Sequence, residues 1–106
     1  MSLVTDIYAI LKTLPAREMF GLCDQLGRSS VSVPSNIAEG SGKSSIKEFI
    51  HYLYISRGSL NEVDTQIEIC YNIKYLDYSQ YQQMRNQIEE LRKMLNKFIS
   101  NLKSKL

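Results

Sequence analysis

Tryptophan is absent from this chain, and histidine occurs once, at position 51. Proline occurs twice and glycine five times in 106 residues. An all-β domain needs more than that, because its many turns call for glycine and proline at fixed places. The two cysteines, Cys23 and Cys70, lack the close spacing of metal or redox motifs and read as small core residues of a reduced, cytoplasmic chain. No apolar run approaches membrane length: Phe49–Ile55 contains His51 and stops at Arg57, so no membrane is expected as a partner. A charged N-terminal region leading into an apolar run and a small-residue cleavage site is missing as well, which argues against a secretory signal. What remains is an ordinary globular mix, 43% apolar and 23% charged, expected to form one domain over residues 1–106 around a modest core.

The apolar residues recur at helical spacing. Tyr81, Met84, Ile88, Leu91, Leu95, Phe98 and Leu102 follow one another at alternating steps of three and four, a seam on one face of a long C-terminal helix. Ser79 with Gln82 three residues later reads as its capping box. Over Ser45–Ile73 the same steps join Ile46, Phe49, Leu53, Ser56, Leu60, Val63, Ile67 and Cys70, with Ser45 and Glu48 as the cap. Ile50, Tyr52, Tyr54 and Ile55 make this helix apolar on most sides, so it needs cover on more than one face; a second copy of the chain would supply it. Gly58, mid-helix, costs about 1 kcal/mol relative to Ala unless a neighbouring backbone comes close. Leu3, Ile7, Ile10 or Leu11, and Leu14 mark a shorter first helix.

Residues 30–42, SVSVPSNIAEGSG, admit two readings. Val31 and Val33 alternate with serines as in a strand, and Pro34, Gly40 and Gly42 suggest a loop. Yet the register Met19, Cys23, Leu26 continues at steps of four and three onto Ser30, Val33 and Ile37 without a break. That favours a helix, expected over Ala16–Glu39 with Pro15 ahead of it, Gly40 as its stop and a kink at Pro34. An interior proline costs about 3 kcal/mol. The hydroxyls of Ser29, Ser30, Ser32 and Ser35 are available to rebond the freed backbone groups. Four helices with short connections then make an all-α, up-down-up-down four-helix bundle.

Catalytic signatures are missing from the pattern. Glu48 and His51 form one E-x-x-H pair, but a di-iron site needs two such pairs and further glutamates, and there is no second histidine. The Gly-Lys-Ser at 42–44 lacks the frame of a phosphate-binding loop. No nucleophile–base pairing is evident, so the expectation is a non-enzyme with no catalytic residues, no metal and no cofactor. Two polar groupings stand out instead. Asn36 and Glu39 on the second helix and Arg57 and Glu62 on the third lie beside apolar seams, and are expected to form a cross-helix network in which Arg57 meets Glu39. Such a network either fixes helix register or binds a ligand.

Charge is unevenly spread. Residues 1–76 hold seven Lys/Arg against eight Asp/Glu, whereas residues 77–106 hold six against three. Arg85, Arg92, Lys93, Lys97, Lys103 and Lys105 are therefore candidate nucleic-acid-binding residues. Pairing of Glu89 and Glu90 with Lys93 and Lys97 would instead make part of this an ordinary solvated face.

The stretch at 30–42 and SIKEFIHYLYISRGSLNEVDTQIEI at 45–69 together resemble the bacterial four-helix-bundle family named for 23S rRNA intervening-sequence proteins. Its members read A-V-S-I-P-S-N-I-A-E-G, then E-F, R-G-S-L-x-E and T-Q. Here those positions are held by Val31, Ser32, Pro34–Gly40, Glu48, Phe49, Leu53, Arg57–Leu60, Glu62, Thr65 and Gln66. The chain departs from the family in lacking the Trp-Gln pair of the first helix. In fold the family is similar to the accessory protein of diversity-generating retroelements, a pentameric ring that binds nucleic acid together with a reverse transcriptase. The resemblance thus implies a homo-oligomer, foremost a pentamer, with a non-enzymatic role near RNA or structured DNA. The alternative is a protein-interaction scaffold that docks a polymerase or other partner without touching nucleic acid.

Overall fold

Gly40 sits inside a helix and against another one, which sets the geometry of the whole bundle. The structure, a computed structural model, describes residues 2–18 and 20–106. It contains four helices: α1 (Ser2–Leu11), α2 (Leu22–Ser41), α3 (Ile46–Asn72) and α4 (Tyr78–Lys103), with one 3₁₀ turn at Ala16–Glu18. No strand occurs among the described residues. Each helix packs on its neighbour in sequence and α1 also meets α4, the α2–α3 pairing being the most extensive. At 27 residues, α3 is about 40 Å long and accounts for most of the 46 Å long axis. Among the described residues no helix is long and apolar enough to cross a membrane.

The second helix differs from its sequence expectation at both ends. After Pro15 the chain makes a 3₁₀ turn, with Glu18 N–H donating to the Pro15 carbonyl, and α2 proper starts only at Leu22, without a side-chain cap. Met19, part of the expected register, lies outside the described residues. The helix then continues through Pro34 to Ser41. Gly40 is not the stop: it is buried, and a Cβ there would lie 2.9 Å from Phe49 Cδ1. Its missing side chain lets α2 lie close on α3, and Gly42 occupies the C-cap.

Serines complete that close contact. Ser56 Oγ donates to the Val33 carbonyl (2.8 Å), and the Ser32 and Ser59 hydroxyls bond each other across the helices (2.8 Å). Ser29 and Ser30 donate to the Gln25 and Gly27 carbonyls, upstream of the backbone group that Pro34 leaves free.

The expected seams of α3 and α4 fill the core: Leu53, Leu60, Val63, Ile67, Cys70, Met84, Ile88 and Leu95 are buried. On α4 the seam slips by one residue near its end, where Phe98 is 41% exposed and Ile99 only 3%. A strict three-four alternation averages 3.5 residues per turn, whereas a straight helix has 3.6, so the buried stripe drifts by about 20° per heptad. The displaced Phe98 ring packs edge-on against Phe49, centroids 5.1 Å apart. The α4 capping box also lies two residues earlier than expected: Gln80 N–H donates to Asp77 Oδ1 (2.8 Å) and Asp77 N–H to Gln80 Oε1 (3.0 Å). Asp caps as well as Ser, and Ser79 already lies within the helix. At α3, Ser45 Oγ accepts from Glu48 N–H (3.1 Å), while the Glu48 carboxylate turns to the Ser45 hydroxyl instead of the backbone.

Candidate nucleic-acid interface

The six basic residues of the last segment separate into two groups. Arg85 and Arg92 lie seven residues, about two turns, apart on α4 and reach Asp64 on α3. Both are ion-paired to Asp64, Arg92 Nη2 at 3.0 Å from Oδ2, and both reach Glu89. Arg92 also donates to Asn61 Oδ1 (3.1 Å). Burial alone would lower the Arg92 pKa, yet the hydrogen bonds and charges of Asp64 and Glu89 leave it raised. Two arginines and two carboxylates thus balance locally, in a clamp that ties α4 to α3.

The lysines behave differently. Glu89 is taken up by the arginines, and Lys93, Lys97 and Lys105 are exposed with no ion-pair partner among the described residues. From Leu91 to the last residue the chain has no Asp or Glu at all. Lys93, Asn96, Lys97, Ser100 and Lys103 recur at helical spacing, so they share one face of α4.

Arg57 borders this face from α3. Its Nη1 donates to Asn96 Oδ1 (3.0 Å), and its guanidinium carbon lies 4.8 Å from the centre of the Tyr54 ring. Lys103 Nζ lies 5.0 Å from the same ring centre. These residues line a groove of about 430 Å³ together with Asn96, Ile99 and Ser100. Its lining has two cations, an amide, two hydroxyls and no carboxylate, which is the chemistry of an anion site.

The expected polar network takes another form. Glu39 pairs with Lys43 at 3.3 Å on the surface, so Arg57 and Glu39 each have other partners. Asn36 Nδ2 donates to the Ser32 carbonyl (2.8 Å) and hydroxyl (2.9 Å), and Glu62 Oε2 accepts from Ser29 Oγ (3.3 Å). Serine hydroxyls, one of them on the Glu62 carboxylate, join α2 to α3 in place of a buried charge pair, and Asn36 bonds within α2. The pairing of Arg57 with α4 was not signalled by spacing along α3, because it depends on which helix lies alongside.

His51 is exposed and packs edge-on against Tyr52, while Glu48 is held at the α3 cap. Among the described residues no three His, Cys, Asp or Glu side chains gather as a metal site would require. The outer face of α3 carries Ile55, Gly58, Glu62, Gln66, Ile69 and Ile73 at steps of three and four. Ile55, Ile69 and Ile73 are each more than a third exposed, and a Cβ on Gly58 would meet nothing. Gln66 Oε1 is buried on this face without a hydrogen-bond partner among the described residues.

Among curated proteins none matches the sequence. The fold is similar to the crystal structure of a protein of unknown function from the S23 ribosomal protein family of Bacteroides thetaiotaomicron, with a TM-score of 0.86 and 27% identity over 92% of each chain. The family model described as 23S rRNA-intervening sequence protein matches residues 1–97. With that match spanning nearly all of the four helices, the chain belongs to the 23S rRNA-intervening sequence protein family.

Proposed function

We propose that this protein is a non-enzymatic, homo-oligomeric helical bundle that binds RNA or structured DNA through phosphate contacts on α4. One observation carries the reading: Lys93, Lys97 and Lys105 lack ion-pair partners among the described residues, in a segment devoid of acidic side chains. An ordinary solvated face intersperses both signs of charge. Here Glu89, one turn before Lys93, is held by the arginine clamp, and Glu90 forms no ion pair with Lys93 among the described residues. The family's description, which names 23S rRNA, is consistent with an RNA ligand.

Self-association is supported by the outer stripe of α3. Exposed isoleucines and an open mid-helix glycine lie along one line. A second copy laid against it would cover the first and approach closely at the second, and a pentameric ring would multiply the basic face. The same stripe favours the second reading, in which it docks a protein such as a polymerase.

The test is RNA binding against salt. For about four phosphate contacts per protomer, the logarithm of affinity should fall with the logarithm of salt with a slope of about −3. Reversing charge at Lys97, Lys103 and Lys105 should abolish binding. A flat salt response, or a triple variant that binds as before, refutes the nucleic-acid reading and leaves the scaffold. A solution mass of 12.2 kDa, that of one chain, refutes the assembly.

A further inference from the structure

We infer that the groove at Tyr54 is a phosphate site, and that it takes the terminal phosphomonoester of a nucleic-acid strand. The inference rests on the nucleic-acid reading above and specifies what one part of that surface does.

Three features of the groove carry it. First, two cations are held at one aromatic ring, Arg57 at 4.8 Å and Lys103 at 5.0 Å from its centre, and neither forms an ion pair among the described residues. The ring attracts each of them, and both line the same groove. Second, Arg57 is oriented by a neutral acceptor. Its bond to Asn96 Oδ1 uses one N–H and leaves the rest of its charge uncompensated. With that oxygen engaged, the Asn96 amide nitrogen remains as a donor, and Ser100 and Lys103 follow at steps of four and three on the same face. Third, the lining holds no carboxylate, so no acidic side chain within the groove competes for the two cations.

The donor set selects the ligand by charge. An internal phosphodiester carries one negative charge, whereas a phosphomonoester at neutral pH carries about −1.5 to −2 and offers three acceptor oxygens. Two cations flanked by the Asn96 amide and the Ser100 hydroxyl match the second. The exposed lysines at 93, 97 and 105 lie outside this lining and suit the single charges of the strand.

The experiment compares one short single-stranded RNA in three forms, with a 5′-phosphate, with a 3′-phosphate and with neither, by fluorescence anisotropy at fixed salt. A phosphorylated end should bind about tenfold more tightly than the unphosphorylated strand. Lys103→Gln, at an exposed helix end where folding is not at stake, should remove that advantage, as should Arg57→Gln. The double variant Lys93→Gln, Lys97→Gln should weaken all three RNAs and keep the difference. Inorganic phosphate should shift the Asn96 side-chain amide signal in wild type and not in Arg57→Gln. If all three RNAs bind equally, the strand-end site is overturned while the nucleic-acid reading stands. If none binds, that reading falls and the strand end with it, whether or not inorganic phosphate moves Asn96.

Discussion

A Cβ on Gly40 would lie 2.8 Å from the Cβ of Tyr52. The obstructing atom is the root of a side chain, not a flexible end, so α3 itself would have to move. Gly40→Ala should therefore destabilise the fold by about 1–3 kcal/mol, despite the better helix propensity of alanine. Thermal or urea unfolding would register this, and an unchanged midpoint would show that the helices can separate without cost.

Gly58 presents the opposite case. With open space around it in the protomer, Gly58→Ala should stabilise an isolated bundle by up to about 1 kcal/mol. In an assembly where a second copy approaches α3 closely, the same change should weaken association. Measuring solution mass and unfolding together on this variant separates the two effects, and stabilisation with intact assembly would place the interface elsewhere.

Lys74 adopts φ 68°, the left-handed region, directly after α3. Tyr75 N–H donates to the Cys70 carbonyl (2.8 Å) and Lys74 N–H to the Tyr71 carbonyl (3.0 Å), the paired bonds of a Schellman stop. A side chain in that conformation costs roughly 1–2 kcal/mol, part of which glycine forfeits through its freer unfolded chain. Lys74→Gly should raise stability by roughly 0.5–1 kcal/mol, read as a higher unfolding midpoint at unchanged cooperativity.

Asp64 serves two arginines at once, and all three side chains are a third exposed or less. Asp64→Ala leaves both guanidinium groups short of a partner at the α3–α4 contact. A loss of about 1–3 kcal/mol is expected, reduced by the water that still reaches the arginines. RNA affinity of the folded variant should hold or rise, since two cations are released; a fall in affinity would place Asp64 in the binding surface.

Burial pushes the Cys70 thiol up to about 11 from its ordinary 9.0, with the nearby Cys23 and Glu18 adding to the effect. The thiol stays protonated in the fold while the unfolded chain ionises. Its contribution is therefore whole below pH 9 and is lost as pH rises towards 11. Urea titrations should show wild type losing about 1 kcal/mol more than Cys70→Ala between about pH 8 and about pH 10. Equal losses would mean that the site admits water.

Much of the bundle can be read along the chain because helix periodicity is a local property. The register running from Cys23 and Leu26 through Val33 to Ile37 identified α2 across Pro34, where composition alone suggested a strand and a loop. The seams of α3 and α4 likewise mark the core, apart from the slip from Phe98 to Ile99 that follows from helical pitch. Helix ends were less legible. Ser79 and Asp77 are both competent caps, and a glycine such as Gly40 serves equally as a stop or as a close contact.

The allotment of charge depended on packing between helices. The sequence contains six cations after residue 76, but nothing in their spacing says that Arg85 and Arg92 turn towards Asp64 while Lys93 and Lys97 stay in solvent. Nor does it say that Arg57 passes over Glu39 to meet Asn96, or that Lys103 comes to the ring of Tyr54 from another helix. Apolar burial is repeated every turn and announces itself. An ion pair or a cation on a ring forms between residues dozens of positions apart, and exists only once the helices that carry them lie side by side.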